Sequence, residues 1–170
     1  MAIINKFVSN ISAHLKKVLQ HYRLMGQENV LVSDKNMEEE FIRELTNKLV
    51  AKLIPAAIQA IDTILETDIQ DYRDVECLYV INGEGKQLSH TIMKPRIMVE
   101  QDENFRPALP GEDYSSKKYF RQAMKNKQEL YTSLEYISKA TGNLCKTISC
   151  AYQGADKECY VLCIDLLCRF

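Results

Sequence analysis

Apolar positions open the chain in a helical rhythm. Ile4, Val8, Ile11, Leu15, Val18, Tyr22 and Met25 alternate spacings of four and three, which predicts an amphipathic helix with a heptad-like stripe. Three heptads leave two readings open, a dimerisation element or a helix packed on its own domain. Gly26 and "QENVLVSDKN" interrupt the pattern. A second stripe follows: Phe41, Leu45, Leu49, Leu53, Ala57, Ile61 and Leu65 recur every four residues, widened by Ile42, Ile54 and Ile58. It predicts one long helix from about Met37 to Thr67. Asn36 with Glu39 forms its N-cap pair, and Pro55, lacking a backbone donor, kinks it.

Beyond Thr67 the period shortens to two. "VECLYVI" (75–81), the turn "NGEG" (82–85) and "KQLSHTIM" (86–93) read as a β-hairpin. "PRIMVE" extends the sheet, and residues 101–111, with two prolines, form a loop. "SSKKYFRQAMKNK" (115–127) is a short helix with a Ser start. The chain closes with "KTISCAY" (146–152), a "QGAD" turn (153–156) and "ECYVLCIDLL" (158–167). Helices gathered early and strands joined by hairpins predict an α+β fold with an antiparallel sheet. The absence of βαβ alternation excludes a doubly wound fold. Along the last strand Tyr160, Leu162, Ile164 and Leu166 share one face, and Cys159, Val161, Cys163 and Asp165 share the other.

Composition narrows the function classes. A chain of 170 residues with 46% hydrophobic and 26% charged residues fits one globular domain with an appended element. The net charge is −1 with no basic stripe, which disfavours a nucleic-acid partner. No apolar run is long enough to span a bilayer, and "MAIINKFVSNISAHLKK" lacks the apolar core and cleavage site of a secretory signal. Six cysteines without a CxxC pair or a regular framework suit a reduced, cytoplasmic setting.

Most candidate chemistries fail on context. "NGEGK" leads into a strand and not a helix, so it is a hairpin turn and not a phosphate loop. His14 and His21 have no Cys or carboxylate at ligand spacing, so neither a metal nor a cofactor is expected. His90 sits on a strand between Ser89 and Thr91, lining a cavity or facing solvent. Ser138 and Lys139 are adjacent, next to a Thr141-Gly142 turn, with no positioned base. A tight turn at Gly154-Ala155 would set Cys150 opposite Cys159, which keeps a thiol-based redox sensor as an alternative. Asp165 is the one carboxylate among small groups on its strand face. Its burial demands a cation, a donor or a ligand, and Lys117 and Arg121 are the candidate ion-pair partners.

The stretch "DYSSKKYFRQAMKNKQELYTSLEYISKATGNLCKTISCAY", with "KECYVLCIDL", resembles the membrane-distal motif of Cache domains, the PAS-like sensors of bacterial receptors. The likeness covers about residues 113 to 166. It implies a PAS/Cache-like antiparallel sheet backed by a long N-terminal helix, over residues 35–170, with residues 1–34 as an extra helix. It also implies that Lys117, Tyr119, Phe120, Tyr136 and Asp165 clasp a small polar metabolite. Three positions depart from the amino-acid-binding pattern: Lys117 stands for arginine, Phe120 lacks a hydroxyl, and Ala140 precedes Thr141 where Asp is usual. Lysine gives up the planar bidentate grip on a carboxylate. The implied protein is a non-enzymatic sensor, expected as a cytoplasmic homodimer. It would govern an output domain after Phe170: a diguanylate cyclase or phosphodiesterase of cyclic-di-GMP signalling, a histidine kinase or a chemotaxis module. A PAS-like relay without ligand is the further alternative.

Overall fold

The computed structural model describes residues 36–94, 105–127 and 129–168. The stripe from Ile4 to Met25, with His14 and His21, lies outside them. The chain divides into two units, Met1–Ile42 and Arg43–Phe170, and the second holds the sheet.

The described chain opens in a helix, α1, running through residues 36–53. Leu45, Leu49 and Leu53, one helical turn apart, are almost fully buried. The expected long helix is broken and not merely kinked. At Pro55 the ladder lapses into a tighter Ala56 N–H to Leu53 C=O bond of 3.1 Å, and residues 54–57 leave the helical path. A 3₁₀ turn (Ile58–Ala60) then leads into α2 (Ile61–Ile69), which buries Ile61, Leu65 and Ile69. The break separates the two helices, and charge ties them together again. Asp68, only 2% exposed, accepts from Lys52 Nζ at 2.7 and 2.8 Å, with Lys48 at 3.6 Å.

The strands are β1 (Val75–Asn82), β2 (Ile92–Met93), β3 (Tyr131–Thr132), β4 (Tyr136–Ile137), β5 (Leu144–Gln153) and β6 (Cys159–Leu167), with α3 (Lys118–Lys125) between β2 and β3. They form one antiparallel sheet in the order β2-β1-β6-β5-β3, β4 also pairing with β5. β6 is central. α2 packs on β1 and β2, whereas α3 packs on β5, β3 and β6. Cys77, Tyr79, Ile81, Ala151, Val161 and Cys163 join Tyr119, Phe120 and Ala123 of α3 in one buried cluster. The alternation of β6 is as expected from its sequence.

The β5–β6 turn differs from the expected one. Gln153 pairs with Cys159, and Gly154 N–H bonds the Glu158 C=O at 2.9 Å, leaving a three-residue tip with Lys157 at φ 67°. Cys150 consequently lies opposite Leu162, not Cys159. The two thiols are three ladder positions apart, about 10 Å, and on opposite faces. That exceeds disulfide reach, so the Cys150–Cys159 pair is withdrawn. None of the six cysteines forms a disulfide.

The loop from residue 105 to α3 is fastened at both ends. Arg106 N–H bonds the Lys139 C=O at 2.8 Å, and Phe105 lies against Gly142. At the other end Gly111 N–H bonds the Gln87 C=O, Tyr114 N–H bonds the Gly85 C=O, and Lys86 pairs with Asp113. Among the described residues no helix is long and apolar enough to cross a membrane.

Gly85 tests this fastening. It has φ +86°, and a Cβ there would stand 2.6 Å from Ser115 Cα. Gly85→Ala should destabilise the protein by at least about 1–2 kcal/mol in urea denaturation, from the left-handed backbone alone. An unchanged midpoint would mean that this close approach does not hold the loop.

Candidate functional site

The site lies on the α3 face of the sheet and is built around one carboxylate. β6 carries Asp165 inward, 5% exposed, and β5 sets Thr147 directly across from it. Thr147 Oγ1 donates to Asp165 Oδ1 at 2.8 Å, and Tyr136 Oη lies 2.7 Å from the same Thr147 oxygen. A threonine hydroxyl has one hydrogen, so with Asp165 ionised Thr147 spends it on the carboxylate and Tyr136 donates to Thr147. On the other flank β1 places Cys77 opposite Asp165.

A wall of phenols completes the face. Tyr79 of β1 donates to the Tyr119 hydroxyl at 3.1 Å. Tyr114 stands between them, its ring 5.7 Å from that of Tyr79 and 6.4 Å from that of Tyr119. Ser149 Oγ donates to the Tyr119 C=O at 3.0 Å and seats the helix start on β5. A charge on Asp165 acts on Tyr79, Tyr114, Tyr119 and Tyr136, adding to burial in pushing each phenol above its ordinary pKa. The carboxylate and four tyrosines therefore share one field.

Burial dominates the electrostatics of Asp165. It pushes the carboxyl up to about 7 against the opposing hydrogen bonds of Thr147 and Tyr136, and the nearby Glu76 carboxylate adds to the rise. Among the described residues no cation pairs with it. The expected ion pair with Lys117 or Arg121 is thus corrected: both are exposed. Lys117 is the N-cap residue of α3 in extended conformation, and nothing joins it to the carboxylate.

Of the five residues expected at the site, the structure gathers four on this face. Tyr119 and Phe120 are buried under α3, Tyr136 is half-buried at the sheet edge, and Asp165 is central. Lys117 stays outside. Thr147, Tyr79, Tyr114 and Ser149 escaped the sequence reading. The right register would have found Thr147, since it faces Asp165 across the ladder. Glu76 was also missed. It occupies the bulge before Cys77, is 3% exposed, and accepts from Thr141 Oγ1 at 3.0 Å and Asn143 Nδ2 at 2.5 Å. It pins the Thr-Gly turn whose Gly142 adopts φ 75°. His90 lies elsewhere, exposed and 2.6 Å from Asp62.

Comparison with solved structures decides the architecture. The ligand-binding domain of the Campylobacter jejuni chemoreceptor Tlp3, solved with 4-methylisoleucine, superposes with a TM-score of 0.61 at 17% identity, over 78% of this chain and 52% of that one. The fold is that of a Cache-like sensor domain. Two more solved structures match. The ligand-binding domain of the Pseudomonas aeruginosa amino acid chemoreceptor PctC, solved with GABA, gives 0.53 at 18% identity, over 75% and 52%. The Bacillus subtilis YkuI protein, which has an EAL domain and was solved with c-di-GMP and calcium, gives 0.55 at 21% identity, over 83% and 36%. This Cache-like chain spans about half the length of the chemoreceptor domains it matches. No family model and no curated protein matches the sequence.

The carboxyl gives a signed pH test. Its folded pKa of about 7 lies above the ordinary 3.8, so the folded state holds a proton that the unfolded state has lost. The resulting stability is complete below the unfolded value and is lost as pH rises through about 7. Asp165→Asn should flatten the decline of stability between pH 5 and pH 8, by up to about 2.5 kcal/mol, in urea titrations at both pH values. Parallel curves for the two proteins would place the carboxyl's pKa elsewhere. Thr147→Val removes a donor to the charged form and should move the Asp165 carboxyl signal in carbon NMR titration to higher pH; a lower midpoint would contradict the assigned donor direction.

Proposed function

We propose that this domain senses a small metabolite bearing an ammonium group and passes its binding on to a signalling output. One observation carries the reading: Asp165 is buried among hydroxyls and aromatic rings with no cation of its own among the described residues. An isolated buried carboxylate is costly, and a bound ammonium would supply the missing charge. The faces of Tyr79, Tyr114 and Tyr119 would add cation–π attraction. In the ligand's presence the carboxyl would ionise, so affinity should rise with pH up to about 7.

Tyr119, Phe120, Tyr136 and Asp165 are the proposed ligand contacts, with Thr147 holding the carboxylate in place. Lys117, at the start of α3, would meet an anionic end of the ligand only as a flexible point charge. The structures with 4-methylisoleucine and GABA support a zwitterionic amine as the ligand class. Closure of the fastened loop 105–117 and α3 over the ligand would favour one arrangement of the domain. A homodimer through the heptad-like stripe, a cytoplasmic setting for six cysteines without a disulfide and an output domain joined to this chain belong to the same proposal. The match to an EAL-domain protein supports cyclic-di-GMP turnover as one such output.

The test is a thermal-shift and calorimetric screen with GABA, L-isoleucine and small primary amines against the wild type and Asp165→Asn. At least one amine should raise the melting temperature, and the variant should bind it roughly 100-fold more weakly, the loss expected when a buried charge pair loses one partner. Equal binding by both proteins, or no stabiliser among the amines, would overturn the assignment.

A further inference from the structure

A cavity lies away from Asp165, where the broken helix meets the β5–β6 turn. It measures about 380 Å³ and is lined by Leu53, the segment from Pro55 to Gln59, Ile61, Tyr152, Tyr160 and the turn residues Gly154 to Asp156. Pro55 creates one wall, because residues 54–57 swing out where a continuous helix would have filled the space. The opposite wall is a pair of tyrosines from β5 and β6, their rings 5.6 Å apart and tilted by 35°. Gly154 permits the close turn, since a Cβ there would meet the Tyr160 ring at 2.8 Å.

Three observations define the guest. Leu53, Pro55, Ala56, Ala57, Ile58 and Ile61 make the walls largely apolar. Tyr152 is 6% exposed, and its buried hydroxyl meets no hydrogen-bond partner. A buried donor of this kind is rare, and it calls for an acceptor. Asp156, the one charged lining residue, is engaged on both oxygens, by Tyr160 Oη at 2.5 Å and Glu158 N–H at 3.0 Å. Those donors hold it ionised, so an anion is repelled, and both oxygens already accept from the protein.

We infer that this cavity is an auxiliary binding site for a small, neutral, mostly apolar molecule carrying one hydrogen-bond acceptor, to which the Tyr152 hydroxyl donates. Its volume is in the range of small-molecule sites. The inference does not depend on the ammonium site, which faces the other side of the sheet. An occupant would bridge the helix break and the turn that sets the β6 register.

The experiment uses the full chain and three probes of one skeleton: acetophenone, isopropylbenzene and benzoate. Binding is followed by amide NMR shifts at Ile58, Gln59, Tyr152 and Gly154. Acetophenone should bind about fivefold or more tightly than isopropylbenzene, the worth of one net hydrogen bond, and benzoate should leave these amides unmoved. Tyr152→Phe should erase the preference. Ala57→Trp, at an exposed lining position, should abolish binding of both neutral probes and carries the test if Tyr152→Phe does not fold. Shifts confined to the Asp165 face, a preference retained in Tyr152→Phe, or full binding by Ala57→Trp would each overturn the site.

Discussion

Everything in this domain hangs on the register of β6. The strand lies between β1 and β5, paired with both along almost its whole length, so it cannot move without breaking two ladders. Side chains alternate with a period of two, and a slip of one residue would carry Asp165 to the opposite face and drive Ile164 and Leu166 toward the phenols. The three-residue tip between Gly154 and Glu158 fixes that register. Asp156 stabilises the tip by accepting from Glu158 N–H and Tyr160 Oη, which lets Lys157 take a left-handed conformation that lysine seldom adopts.

That tip also explains where the sequence was legible and where it was not. Period-two runs revealed the three long strands β1, β5 and β6, and the four-residue stripe revealed the helices α1 and α2, because burial on one face writes its period into the chain. The division of β6 into a bulky and a small-plus-Asp face was equally readable. The register between β5 and β6 was not. A left-handed tip residue is normally announced by Gly or Asn, and here it is Lys157, while Gly154 drew attention to the wrong place. The error cost Thr147 as a site residue and created a cysteine pair that the ladder separates. Pro55 shows another limit. A proline signals disruption, but whether a helix bends or stops depends on what the following residues pack against, which is tertiary information.

The resemblance reached further than the periodicity, since it named Lys117, Tyr119, Phe120, Tyr136 and Asp165, four of which the fold brings to the α3 face of the sheet. Lys117 shares the motif position but stands exposed at the start of α3. A motif fixes where along the chain a residue stands. Whether that residue faces the site follows from helix phase, and α3 turns Tyr119, Phe120 and Ala123 toward the sheet while leaving Lys117 and Arg121 in solvent.

The two acidic residues buried around the site, Asp165 and Glu76, illustrate how differently a fold can treat like charges. Glu76 is satisfied by protein donors on both oxygens, from Thr141 and Asn143, and so serves as a fixed clip between β1 and the turn ahead of β5. Asp165 is met by the hydroxyls of Thr147 and Tyr136 alone, against the burial of its charge, and feels the Glu76 carboxylate as a repulsive neighbour. A residue kept only for stability would gain from full pairing or from replacement by an apolar side chain. Asp165 has neither, and it lies where α3 and the sheet converge. Its carboxyl, raised by burial where Glu76 beside it is held by protein donors, is the contrast on which the proposed ammonium site rests.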